Sequence, residues 1–179
     1  MSLFYTRKGD KGVSHIGKIK VLKTCLEVEA LGQLDELNSM VGVLKSQKVS
    51  KELKSILHQV QENLFIIQAN VANIMLGGSF KTPEFKNLKI NEAEKIIGKI
   101  EKKLKPARRF VISGTNQTSS WLEFLRAKSR NVERSVLKIK KINKLDPAIK
   151  KYLNRLSSLL FALARWEARG KKEKHPVYK

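Results

Sequence analysis

The sequence predicts an all-α protein, an up-and-down bundle of five helices with a glycine-rich basic loop at its N-terminus. Two observations carry this. Apolar residues recur at spacings of three and four over long segments, the period of a helix with one buried face. No stretch of any length alternates apolar and polar residues as a half-buried strand would. A single domain over 1–179 follows, with the loop at 1–24 and a basic tail at 171–179.

The helices follow in order. Ala30, Leu34, Leu37, Val41 and Leu44 mark the first, over about 25–47. The second is the clearest. Leu53, Ile56, Leu57, Val60, Leu64, Ile67, Val71 and Ile74 share one face, Ser50 offers an N-cap, and Gly77-Gly78 stops the helix. A loop fills 77–89. Asn91 then offers an N-cap with Glu94 as its capping-box partner, for a shorter helix to Leu104 that Pro106 ends. The fourth helix runs over 117–142 with Leu122, Leu125, Val132, Val136 and Ile139 inward. Asp146-Pro147 caps and opens the fifth, which buries Ile149, Leu153, Leu156, Leu160 and Leu163 before Gly170. The tail after it is expected to fray.

Composition narrows the function classes. At 41% apolar, the 179-residue chain can bury a core. It has no run of 18 apolar residues for a membrane span and no apolar signal region. Cys25 is the only cysteine, so an intrachain disulfide is excluded, and with three scattered His it makes no metal-ligand pattern. A reducing cytoplasm is the simplest setting. The net charge of +21 points to polyanions: nucleic acid, nucleotides or an anionic membrane. Lysines spread along every helix also fit a general compositional bias.

Three groups of residues could carry chemistry. The first is Thr6-Arg7-Lys8-Gly9-Asp10-Lys11-Gly12-Val13-Ser14, where glycines let backbone N–H groups turn toward an anion and the cations supply charge. Gly12, Gly17 and Lys18 imitate the start of a P-loop. Ile19 stands where Ser or Thr would hold Mg²⁺, and no strand precedes it, so that motif is rejected. The second is Arg126, Arg130 and Arg134, spaced four apart along the border of an apolar face, with Glu133 between two of them. Snorkelling arginines with surface partners would produce the same stripe. The third is Asp35 and Asn38 on the first helix with Asn154 and Arg155 on the fifth.

In order along the chain these blocks resemble a known family. YTRKGDKG (5–12) is similar to its Y-T-x-x-G-D-x-G, and Gly32 to Asn38 (GQLDELN) to its G-x-x-D-E-L-N. Phe110 to Gly114 (FVISG) resembles F-I-L-P-G, Arg126 to Arg134 (RAKSRNVER) resembles R-x-x-x-R-R-x-E-R, and Tyr152 to Ser157 is Y-L-N-R-L-S. The family is the PduO-type ATP:cob(I)alamin adenosyltransferases.

The resemblance implies a homotrimer with active sites between subunits. It implies transfer of the 5′-deoxyadenosyl group of ATP to cobalt, giving adenosylcobalamin and triphosphate. Cob(I)alamin is then the nucleophile, and the protein orients C5′ and stabilises the leaving group. By resemblance Thr6, Arg7, Lys8, Gly9, Asp10, Ser14, Lys23 and Asn38 bind ATP. Arg130, Glu133, Arg134 and Asn154 complete that pocket, with Arg130 on the triphosphate and Mg²⁺ bridging its phosphates, Glu133 assisting. Asp35 pairs with Arg126 across the interface, and Phe110 sits over the corrin to disfavour a lower axial ligand. A corrinoid reductase and a B12-dependent mutase are the implied partners, with no nucleic acid and no membrane.

The chain departs from the pattern at Asn131 for the second arginine of R-R and at Ser113 for the proline. It departs again at Ser158 for an acid, at Thr115 for a glycine, and at Thr24-Cys25-Leu26-Glu27 for D-D-P-R. A binder of ATP or cobalamin with little turnover is the alternative these departures motivate. A basic helical nucleic-acid binder is the alternative the charge motivates.

Overall fold

The computed structural model describes residues 5, 7–16, 19–105, 110–172 and 174–177. Thr6, and the Gly17-Lys18 pair of the false P-loop, lie outside them. Five helices form: α1 (Leu26–Ser46), α2 (Lys51–Met75), α3 (Leu88–Leu104), α4 (Gln117–Leu137) and α5 (Pro147–Ala168). The expected caps hold at two of them. Ser50 accepts from Leu53 N at 3.1 Å, and Asp146 accepts from Ala148 N at 2.8 Å with Pro147 at the first helical position. Asn116 and Ser119 cap α4 reciprocally. Gly77 and Gly78 close α2 at φ 75° and 83°, where a Cβ would be strained, with Gly78 N bonded to Asn73 O at 2.8 Å.

The core is the set of apolar faces legible in the sequence. Leu34, Leu37, Val41, Leu57, Leu64, Leu122, Leu125, Val132, Ile149, Leu156 and Leu160 are all buried. In space α2 packs on α1, α1 on α4, α4 on α5, and α5 on α3. No helix among the described residues is long and apolar enough to cross a membrane.

Four expectations are corrected. The N-terminal loop contains strands, β1 (Val13–Ile16) and β2 (Ile19–Leu22), paired antiparallel with Val13 opposite Leu22. Four residues each are too few for periodicity to register, although Val13, Ile16, Ile19 and Val21 are β-formers. Helix α3 begins at Leu88, three residues before Asn91, because Ile90 is buried and Lys89 Nζ donates to Asn63 of α2 at 2.6 Å. Glu94 therefore makes no capping box and pairs with Arg155 instead, at 2.8 Å. Helix α4 ends at Leu137 and not near residue 142. Glu27 of α1 accepts from Lys140 N at 2.9 Å, Lys141 turns to φ 59°, and a short 3₁₀ turn, Ile142–Lys144, follows. The described part of the tail is tied down: Ile112 N donates to Lys174 O at 2.8 Å, and His175 Nδ1 lies 2.9 Å from the Phe110 carbonyl oxygen.

One buried polar network crosses three helices. Asn63 Nδ2 donates to the Tyr152 hydroxyl at 3.1 Å, Lys89 donates to the same Asn63, and the Phe85 ring lies 5.1 Å from that of Tyr152. Burial pushes the Tyr152 phenol up to about 12, a rise that the Asn63 hydrogen bond partly offsets and the Glu92 charge slightly adds to. The ordinary value is 10, so the unfolded chain releases this proton first. The contribution of neutral Tyr152 is intact below pH 10 and is lost as pH rises toward 12, by about 1.4 kcal/mol per unit. Urea melts between pH 9 and pH 11 should show this loss, and Tyr152→Phe should make the fall shallower than in the parent protein.

Candidate functional site

The N-terminal half of the site is the β-hairpin and the turn before it. Gly12 N donates to Gly9 O at 3.2 Å, and Lys23 N donates to Gly12 O at 3.0 Å. Gly12 takes φ 72°, and Arg7 sits at φ 57° with its guanidinium 5.3 Å from the Tyr5 ring. A Cβ on Gly9 would lie 2.9 Å from Lys23 Nζ, so a glycine here lets the Lys23 ammonium close over the turn. The hairpin thus brings Lys23 back against Gly9 in the turn before it, with Ser14 paired opposite Val21. Ile19 opens β2 opposite Ile16, which removes the P-loop reading on structural grounds too.

The second half lies along the edge where α4 meets α5. Asn154 Nδ2 donates to Glu133 Oε1 at 2.9 Å, Arg155 donates to Asn154 Oδ1 at 2.9 Å, and Arg155 Nε donates to Glu94 Oε1 at 2.8 Å. One polar chain therefore links α4, α5 and α3. Arg134 donates to Asn131, so the residue in place of a second arginine holds the third arginine of the stripe. Lower on the same edge a cleft of about 350 Å³ is lined by Phe110, Arg126, Arg130, Ser157, Ser158 and Phe161, among others. It brings together three separate parts of the sequence pattern: Phe110, the arginine stripe through Arg126 and Arg130, and Ser158 after the Y-L-N-R-L-S block. Phe110 is 78% exposed, as a wall offered to a ligand would be.

Within one chain some residues do not meet. Asp35 is exposed on α1, while Arg126 Nε bonds Glu123 Oε2 at 2.6 Å. Asn38 is buried on α1; its backbone oxygen accepts from Gln61 at 3.1 Å, and its Oδ1 has no hydrogen-bond partner among the described residues. Three further charged residues escaped sequence reasoning. Glu123 is buried and also accepts from Arg165 at 2.8 Å. Lys128 crosses from α4 to Gln33 at 2.7 Å and to Glu36 on α1. The signal for Glu123 is an acid next to Leu122, on the apolar face, three residues before an arginine.

Comparison with known proteins converges on one group. A family model described as cobalamin adenosyltransferase matches residues 4–167. A corrinoid adenosyltransferase of Citrobacter freundii is 33% identical, over 93% of this chain and 96% of its own length. The human corrinoid adenosyltransferase MMAB is 32% identical over 97% of this chain and 72% of its own. A variant of the PduO-type ATP:corrinoid adenosyltransferase of Lactobacillus reuteri, complexed with cobalamin and ATP, superposes with a TM-score of 0.84. It is 28% identical and covers 96% of this chain and 98% of its own.

The polar chain at the α4–α5 edge is largely exposed, the Arg155 and Glu94 side chains being 45% and 49% accessible. It should orient groups more than it stabilises the fold. A double-mutant cycle of Glu94→Ala and Arg155→Ala, read by urea denaturation, should give a coupling below about 1 kcal/mol.

Proposed function

The chain belongs to the cobalamin adenosyltransferase family and is an ATP:corrinoid adenosyltransferase, and we propose that its residues divide that reaction between two faces. The reaction joins cobalt to C5′ of ATP as the C5′–O5′ bond breaks and triphosphate departs. The cobalt of the reduced corrinoid supplies the electron pair, so no side chain has to act as nucleophile. What the protein must supply is alignment and charge.

The observation that carries this division is the cleft shared by Phe110, Phe161, Arg126 and Arg130. Its aromatic walls suit the face of a corrin, with Phe110 over the lower axial side. Arg130 and Arg134 lie one and two turns further along α4 and suit the triphosphate. The bond from Asn154 fixes one oxygen of Glu133, and the other has no partner among the described residues. No three His, Cys, Asp or Glu side chains gather for a metal ion among the described residues. Mg²⁺ needs no such cage, since one carboxylate and phosphate oxygens suffice. Glu133 fits that need, and the ion bound there with ATP would neutralise part of the triphosphate charge.

The hairpin residues Arg7, Lys8, Gly9, Asp10, Ser14 and Lys23 wrap ATP, with Thr6 before them. Asn38, being buried, acts on this pocket only through its neighbours. The bonds from Gly12 to Gly9 and from Lys23 to Gly12 hold the turn in shape, which suits a loop completing a site on a neighbouring copy. We place the protein as a homotrimer in which Asp35 meets Arg126 of the next subunit. The exposed Phe65, Phe124 and Phe161 support a covering surface. A cytoplasmic setting, a reductase that supplies the reduced corrinoid, and a mutase that consumes the product complete the proposal.

An anaerobic assay with reduced cobalamin, ATP and Mg²⁺ tests the reading. The protein should form adenosylcobalamin and triphosphate. Arg130→Ala should lower kcat by about 10²–10³, the usual cost of one donor to a developing anion. Saturable ATP binding with no product would sink the catalytic claim. Asp35→Asn should shift sedimentation from trimer toward monomer, and an unchanged trimer would remove Asp35 from the interface.

A further inference from the structure

We infer that Glu123 is a positioning residue for the corrinoid side of the cleft. The inference rests on the functional reading above and concerns a residue that reading does not use. Glu123 sits on α4 with its side chain 7% exposed, and each carboxylate oxygen takes a different guanidinium. Oε2 accepts from Arg126 Nε at 2.6 Å, and Oε1 accepts from Arg165 on α5 at 2.8 Å. Arg165 is itself 8% exposed, so this ion pair is a buried bolt between α4 and α5.

Both cations also face one ring. The Arg165 and Arg126 guanidinium carbons lie 5.3 Å and 6.0 Å from the centre of Phe161. Phe161 is a wall of the cleft that holds Phe110 and Arg130. One carboxylate thus sets two cations, and the two cations set the ring. A guanidinium is planar and rigid, so fixing its Nε also fixes the direction of its terminal nitrogens. Glu123 takes the Nε of Arg126 and leaves those nitrogens to be aimed at a second group. A merely structural ion pair would lower stability without distinguishing the two substrates. A positioning residue on this side separates them, because Glu133, Arg134 and Asn154 lie further along the edge and touch none of these four residues through a described bond.

The test compares the full chain with Glu123→Gln and Glu123→Asp. Equilibrium dialysis with cob(II)alamin and, separately, with ATP reads retention of each. Steady-state kinetics reads KM for each, and circular dichroism checks helix content. Gln offers one acceptor where two donors need one each. Asp keeps the charge but retreats by one methylene. Glu123→Gln should weaken cob(II)alamin retention and raise the corrinoid KM about tenfold, with ATP values changed by less than about twofold. Glu123→Asp should fall between it and the parent. Unchanged corrinoid retention in a folded variant, or equal loss of both substrates, overturns the inference. If Glu123→Gln does not fold, Glu123→Asp decides alone, by the same contrast. A parent protein that makes no adenosylcobalamin yet shows the contrast in dialysis overturns the functional reading and leaves the positioning role standing.

Discussion

The seam between α4 and α5 is the constraint on which the rest of the structure depends. Leu122, Leu125, Val132 and Val136 from one helix and Leu153, Leu156 and Leu160 from the other are removed from water almost completely. Truncating one such leucine to alanine costs about 2–5 kcal/mol, a large share of a domain's net stability. Most helical residues of the proposed site ride on the borders of this seam: Arg126, Arg130, Glu133 and Arg134 from α4, Asn154 and Phe161 from α5. The apolar contact fixes where those side chains start, and short polar bonds fix where they point.

Scarce acids shape the electrostatics. The chain has 16 Asp and Glu against 37 Lys and Arg, and several acids stand at joints between elements. Glu27 caps the backbone after α4, Glu36 meets Lys128 across α1 and α4, Glu94 meets Arg155 across α3 and α5, and Glu123 meets Arg165 across α4 and α5. Of these joint acids only Glu123 also meets a cation of the cleft, Arg126. The cations of the hairpin and of α4 therefore keep a positive field suited to a nucleotide triphosphate. A high net charge attracts polyanions in general and does not select nucleic acid among them.

The Y-L-N-R-L-S block shows how one motif serves two purposes. Tyr152, Leu153 and Leu156 face the core, and Tyr152 ties α5 to α2 through Asn63. Asn154 and Arg155 face the site edge and link α5 to α4 and α3. The helical period separates the two roles, because adjacent residues point about 100° apart. A motif of this kind is specific because both faces are constrained at once.

The sequence by itself determined the five helices, their buried faces, most of their stops and the family. Each of those depends on neighbours within about four residues or on ordered blocks of side chains, and both are visible in a linear text. The hairpin, the earlier start of α3, the earlier end of α4 and the anchored tail were decided by tertiary structure. Each rests on a partner distant in sequence or on segments too short for periodicity: Lys89 on Asn63, Lys140 on Glu27, Ile112 on Lys174. The same holds at the site. Arg126 and Arg130 were legible as a stripe, and Phe110 only by resemblance. That they share a cleft with Phe161 and with Glu123, whose carboxylate reaches 42 residues to Arg165, required the fold. A buried charge survives only where an opposite charge has been carried to it, and chain folding alone does the carrying.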